Sequence, residues 1–262
     1  MIRKSCFSAS LFTIMIFISC KSNNISDPEI ARLMLQAESA FRSGYYNAAL
    51  SIADSAISLN PKLADIYFLK GRVLTKLSRF AEAEDAYFQV ISLDDKYQGA
   101  WFNIGTNNLR QNKTPQAIYN YYNEMNEHPS AQTMVQIGKA YSDLGKADSA
   151  LLSYEKAIQI NSNLASAYMR LSHLKKDAGE IVEAINHAKK GVELEPENTD
   201  YKYFMGSLLL LNGQPKLSIP YFELVVNKKP WHYWAHHNLG QALFRVGEKR
   251  KSDFYIHKAK EL

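Results

Sequence analysis

AQTMVQIGKAYSDLGKADSALLSYEKAIQINSN, residues Ala131 to Asn163, sets small or apolar side chains at helical spacing in two blocks. The first block is Met134, Ile137, Gly138 and Tyr141; the second is Ala150, Tyr154 and Ala157, with Gly145 interrupting between them. The pattern predicts two antiparallel amphipathic helices. Gly138 and Ala150 lack the bulk that would hold two backbones apart, while Tyr141 and Tyr154 fill the space beside them. A hairpin of this size cannot bury its apolar faces alone, so copies are expected along the chain, each covering the next.

Copies start at Ile30, Ala64, Gln98, Ala131, Ala165, Thr199 and Tyr233, spaced 34, 34, 33, 34, 34 and 34 residues. The eighth residue of each unit is small: Ala37, Gly71, Gly105, Gly138, Ser172, Gly206 and Gly240. So is the twentieth: Ala49, Ala83, Ala117, Ala150, Ala184, Ser218 and Ser252. The twenty-fourth is Ala53, Tyr87, Tyr121, Tyr154, Ala188, Phe222 or Ile256. Pro61, Pro129, Pro196 and Pro230 stand near the junctions, where proline ends one hairpin before the next begins.

This arrangement resembles the tetratricopeptide repeat, whose 34-residue period and order of large, small and proline positions it follows from Ile30 to Leu262. Asn108, Lys175, Lys202 and His236 depart from the apolar or aromatic residues usual at their positions. The resemblance implies an all-α, right-handed superhelical solenoid of about seven hairpins. Pro220, early in the second helix of the sixth unit, is expected to kink or delay that helix. The chain reaches Leu262 directly after the seventh unit, which leaves that unit's last helix without a polar capping helix. Phe254, Ile256 and Leu262 would then offer apolar surface for a partner or a second copy, beside the solubilising Lys249, Arg250, Lys251, Lys258 and Lys260.

Residues 1–19 begin with Arg3 and Lys4 and continue into an apolar run from about Ala9 to Ile18, the order of a secretory signal peptide. The run is shorter than the roughly 20 residues a membrane-spanning helix needs, which disfavours the alternative of a spanning anchor. Phe17-Ile18-Ser19-Cys20 resembles the lipobox of bacterial lipoproteins, with Phe17 in place of the usual leucine. That resemblance implies acylation at Cys20, a lipid-anchored mature chain and residence in a bacterial envelope, most simply the outer membrane facing the periplasm. Cys6 would leave with the signal, so no disulfide is expected in the mature chain. Residues 20–29 read as the lipidated cysteine and a polar tether.

The chain holds 31 basic and 26 acidic side chains, 29 against 26 without Arg3 and Lys4, too small a bias to predict a nucleic-acid partner. It contains no HExxH, GxSxG, GxxxxGK[ST] or GxGxxG pattern, so no enzymatic activity and no cofactor is expected. His232, His236 and His237 fall within six residues, the first two at a spacing that could present both imidazoles to a metal on a helix. A metal-dependent enzyme built on these histidines stays as an alternative, although Pro230 places His232 at a junction and no carboxylate or cysteine is close in sequence.

In the tetratricopeptide family the first helix of each hairpin lines an inner groove, and certain positions along it point inward. Carried over, the rule selects Phe68, Arg72, Lys76, Phe102, Asn103, Arg110, Lys139, Arg170, His173, Lys176, Tyr203, His237, Gln241 and Arg245 as a peptide groove. Thr106, Met169, Glu38, Asp65, Asp143 and Asp177 fall on it too. Basic and aromatic groups outnumber acids there, as suits extended acidic or apolar segments of an envelope protein. The bland alternative is a solvated basic helix face. Length, anchor and repeat number are similar to the tetratricopeptide lipoproteins that help pilus secretins assemble, which implies a protein-binding scaffold in assembly of an envelope complex.

Overall fold

A computed structural model describes residues 27–262. Among them stand fourteen helices and no strand: α1 (Pro28–Arg42), α2 (Tyr46–Leu59), α3 (Ala64–Lys76), α4 (Phe80–Leu93), α5 (Ala100–Arg110), α6 (Thr114–Glu127), α7 (Ala131–Asp143), α8 (Ala147–Ile160), α9 (Ala165–Asp177), α10 (Ile181–Leu194), α11 (Thr199–Leu211), α12 (Pro215–Lys228), α13 (Tyr233–Arg245) and α14 (Lys249–Lys260). Odd and even helices pair as hairpins, and each even helix packs on the odd helix that follows. Successive odd helices also touch, as α1 with α3, α3 with α5, α7 with α9 and α11 with α13, while even helices make no comparable contact. Packing of that kind curves a solenoid toward its odd helices, so these line the inner face.

Each hairpin turns at the same residue of its unit, the fifteenth. Gly44, Gly145, Gly179, Gly213 and Gly247 have positive φ there, and so do Ser78 and Asn112 in the second and third units. The left-handed residue lets the chain close a Schellman turn, as where Gly145 N donates to Ser142 O and Lys146 N to Tyr141 O, both at 2.9 Å.

Inside each hairpin the eighth and twenty-fourth residues meet. A Cβ on Gly138 would lie 2.5 Å from Tyr154 Cε1, one on Gly71 2.6 Å from Tyr87, and one on Gly105 2.8 Å from Tyr121. Where the twenty-fourth residue is Ala53 or Ala188, its counterpart carries a Cβ, as Ala37 or Ser172. The pairs are therefore complementary, a bulky twenty-fourth residue facing glycine and a small one facing a residue with a Cβ, and every member but the part-buried Ile256 is buried. Phe222 is fully buried against Gly206, which is worth roughly 1.5–3 kcal/mol by area.

Several expectations are corrected. The first helix begins at Pro28, capped by Asp27 Oδ1 on Glu29 N at 2.8 Å, so Pro28 and Glu29 belong to the solenoid and not to a tether. In the third unit the first helix starts at Ala100, two residues after the repeat, because Gly99 takes φ +89° ahead of it. Pro220 does not delay its helix: α12 starts on schedule and keeps the fourteen residues of α2, α4, α6, α8 and α10. Asn108 does not disturb packing, since Asn120 Nδ2 donates to it and it donates to Glu84. Lys175 is likewise held, by Glu180 and Glu183.

The last helix is not a bare stacking surface either. Positions twenty-one and twenty-eight pack on the next unit through Leu50, Ile118, Leu151, Ile185 and Ile219, and through Ile57, Ile91, Met125, Ile158, Val192 and Val226, with Glu84, which accepts from Asn108 and Gln111, the exception in the second unit. In α14 they are the exposed Asp253 and Lys260. Charge at these two points replaces the apolar contact that most units make there, while Phe254 and Leu262 stay exposed. At the other end, Arg32, Gln36 and Ser39 hold positions that most later units fill with apolar side chains.

Candidate functional site

The inner face is built by α1, α3, α5, α7, α9, α11 and α13, whose outward edges toward the solenoid axis carry the groove residues. Cys20 and residues 1–19 lie outside the described residues. Phe68 is half-buried between Tyr87 and Tyr97, with ring centres 5.7 and 4.9 Å away, and Phe102 lies 5.4 Å from Tyr121. Both serve the core as much as the surface. Asn103 Nδ2 donates to Gly99 O at 2.7 Å, which ties it to its own helix start. Tyr203 Oη accepts from Asn238 Nδ2 at 3.1 Å, and its ring packs 4.8 Å from His232. Met169 is buried against Gly191 and leaves the groove.

The cations divide into held and open. Arg72 is ion-paired with Glu38 at 3.1 Å, and Arg245 Nη1 donates to Leu210 O at 3.0 Å. Lys176 lies 3.1 Å from Asp177, its neighbour in sequence. Lys76, Arg110, Lys139 and Arg170 have no carboxylate partner among the described residues. Of the acids, Asp65 accepts from Tyr97 Oη at 2.5 Å and Glu38 is shared by Arg42 and Arg72, so the acidic groups are more fully occupied than the basic ones.

His173 stacks on Phe204 with ring centres 3.8 Å apart. Burial against that ring, then the charges of Lys176 and Arg170, hold the imidazole below its ordinary pKa. Phe204 is an inner-face residue that the sequence reading omitted. The signal was there, because Phe204 stands at the same place in its unit as Arg170 does in the one before.

The histidines at the far end do not converge. His232 Nδ1 accepts from Ala235 N at 3.1 Å as a helix cap, His236 Nε2 bonds Pro230 O at 2.9 Å in the core, and His237 Nε2 meets Gln241 Nε2 at 2.9 Å on the surface. Each imidazole has a different task and direction, so the metal-enzyme alternative loses its site. Among the described residues no group of three or more His, Cys, Asp or Glu side chains is placed to hold a metal. His237 instead joins Tyr233 and Trp234 in an aromatic shelf, with ring centres 6.0 and 5.8 Å away.

Comparison with known proteins agrees with this architecture. The family model described as tetratricopeptide repeat matches residues 131–164 and 165–198, and that described as anaphase-promoting complex, cyclosome, subunit 3 matches residues 16–90. Anaphase-promoting complex subunit 3 of Schizosaccharomyces pombe is 21% identical over 189 residues, 70% of this chain and 28% of that protein. The chain spans less than a third of the length of the curated relatives it matches. A tetratricopeptide repeat protein from Parabacteroides merdae superposes with a TM-score of 0.65 at 16% identity, covering 90% of this chain and 93% of that one. The pilF structure from Pseudomonas aeruginosa also gives 0.65, at 15% identity, over 77% of this chain and 92% of that one. These likenesses concern the fold.

Proposed function

Because this chain is a tetratricopeptide-repeat protein, a scaffold for contact with other proteins, we propose that it holds an extended segment of an envelope protein along its inner face from a lipid anchor at Cys20. One observation carries the reading: the inner face keeps Arg110, Lys139 and Arg170 without carboxylate partners on three successive units, beside aromatic rings already fixed by the core. Preformed on rigid helices, such a face binds with little ordering of its own. The anchor rests on the signal-like order of residues 1–19 and the Ser19-Cys20 boundary. It would raise the local concentration of partners at the outer membrane, in the periplasm, where an envelope complex is assembled.

The test is site-specific photocrosslinking in cells, with the probe at Lys139 on the inner face or at Leu152 on the outer. Defined adducts from position 139 and not from 152 support the groove; the reverse moves binding to the outer face. Labelling with an alkyne-bearing palmitate, lost in Cys20→Ala, tests the anchor separately.

A further inference from the structure

Resting on the reading of the inner face as the binding site, we propose that α9 carries its anion subsite, with Arg170, His173 and Lys176 as donors to an acidic segment of the partner and Phe204 as the floor. The three donors recur every third residue, so they rise about 9 Å along one side of the helix. Three residues of extended chain cover that distance, enough to bring two carboxylates past three donors.

Arg170 is exposed and has no carboxylate partner among the described residues. Its guanidinium offers a planar fork that suits a carboxylate, while Lys176, 3.1 Å from Asp177 on the surface, supplies a point charge that an incoming carboxylate would share with that pair. Lys176 Nζ also lies 5.9 Å from the centre of the Phe204 ring, which places it at the edge of the same floor. The preceding units extend the field with Lys139 and Arg110. Against these cations the same run of inner face sets Asp143 and Asp177. The excess of positive charge selects an acidic occupant and repels a basic one.

His173 makes the subsite more than a static patch. The charged groups acting on it are Lys176, Arg170 and Asp177, all on α9, while α11 contributes the uncharged ring of Phe204. A carboxylate arriving between Arg170 and Lys176 offsets the charges that disfavour the imidazolium and accepts a hydrogen bond from it. Binding therefore takes up a proton, which must come from solvent, and tightens as pH falls through the range where the imidazole titrates.

The experiment uses the full chain in detergent micelles with fluorescein-labelled decaglutamate and decaglutamine, read by anisotropy at low salt. Decaglutamate is expected to bind and decaglutamine not to. Arg170→Ala and Lys176→Ala should each weaken decaglutamate about 10-fold, the loss of a charge-assisted hydrogen bond. Lys189→Ala on α10, exposed and outside the inner face, should leave it unchanged. Affinity should rise from pH 7.5 to pH 6, and His173→Asn should flatten that rise. Equal binding of both peptides would overturn the acidic class and leave the groove standing. Decaglutamate binding that ignores both alanine variants would take the anion subsite off α9. No binding of decaglutamate at all would also overturn the subsite, while the groove itself would still be judged by crosslinks from position 139.

Discussion

Arg72 places its guanidinium 3.1 Å from Glu38 Oε2 and 4.4 Å from the centre of the Phe41 ring, spending on the preceding unit the charge that its position offers to the groove. Both side chains of the ion pair are partly covered, so the contact is screened less than a surface pair and joins α1 to α3. Arg72→Met should lower stability by about 1 kcal/mol, combining a partly exposed ion pair with a cation–π contact. The same variant should keep partner crosslinking from position 139. Loss of crosslinking at unchanged stability would return Arg72 to the binding surface.

The match between the eighth and twenty-fourth residues makes a sharper demand. Gly138→Ala puts a methyl 2.5 Å from Tyr154 Cε1 and should cost roughly 1–3 kcal/mol. In a Tyr154→Ala background the same substitution should cost much less, because the fourth unit would then resemble the Ala37–Ala53 pair of the first. A double-mutant cycle by chemical denaturation measures the coupling, expected at about 1–2 kcal/mol for residues in direct contact. Additive effects would show that the ring has another way to relieve the crowding.

Turn geometry yields a stabilising variant. Ser78 has φ +60° at the position where five other units place glycine, and it is exposed. Ser78→Gly should raise stability by about 1 kcal/mol, since an L side chain in the left-handed region costs that much. Asn112→Gly, at φ +59°, should gain less because asparagine tolerates this conformation better. Melting temperatures of the two variants order the effects; a lower value for Ser78→Gly would mean that chain entropy of the unfolded state outweighs the strain.

These turns and pairs explain why the solenoid was legible in the sequence while the state of its inner face was not. Gly138, Ala150 and Tyr154 interact within one hairpin, twelve to sixteen residues apart, so spacing alone exposes them. The α5 start escaped because it depends on the φ of Gly99 and on Glu124 Oε1, which accepts from Gly99 N at 2.9 Å across the hairpin. Which inner-face groups are open depends on contacts one repeat away: Arg72 with Glu38, Asn238 with Tyr203, and Arg245 with Leu210. Their separations of 34 or 35 residues equal the period or exceed it by one, so comparing each inner position with its counterpart in the preceding unit is the signal that could have found them. Two histidine partners, Ala235 N and Pro230 O, are backbone groups, which no motif records.

His236 ties stability to pH. Its Nε2 bonds the carbonyl oxygen of Pro230 and so carries the proton, while Nδ1 is buried without a partner among the described residues. Protonating Nδ1 would bury a new N–H and a charge beside the ring of Tyr255, with no acceptor in reach. Burial accordingly holds the His236 pKa below its ordinary value, against the opposing pull of the Pro230 carbonyl. A folded-state pKa below the unfolded one gives a contribution that is present above the unfolded value, near 6.5, and lost as pH falls through the folded value. Unfolding free energy should therefore decline from pH 7 to pH 5, by at most about 1.4 kcal/mol per pH unit for each proton taken up. His173 and His187, whose pKa values burial also lowers, act in the same direction. His236→Tyr, which restores the aromatic type found at Tyr67, Trp101 and Tyr168 in other units, should make the decline shallower and leave the part owed to His173 and His187. Denaturation curves at pH 7, 6 and 5 for both proteins provide the comparison, and parallel declines would show that the seventh unit opens before the imidazole titrates.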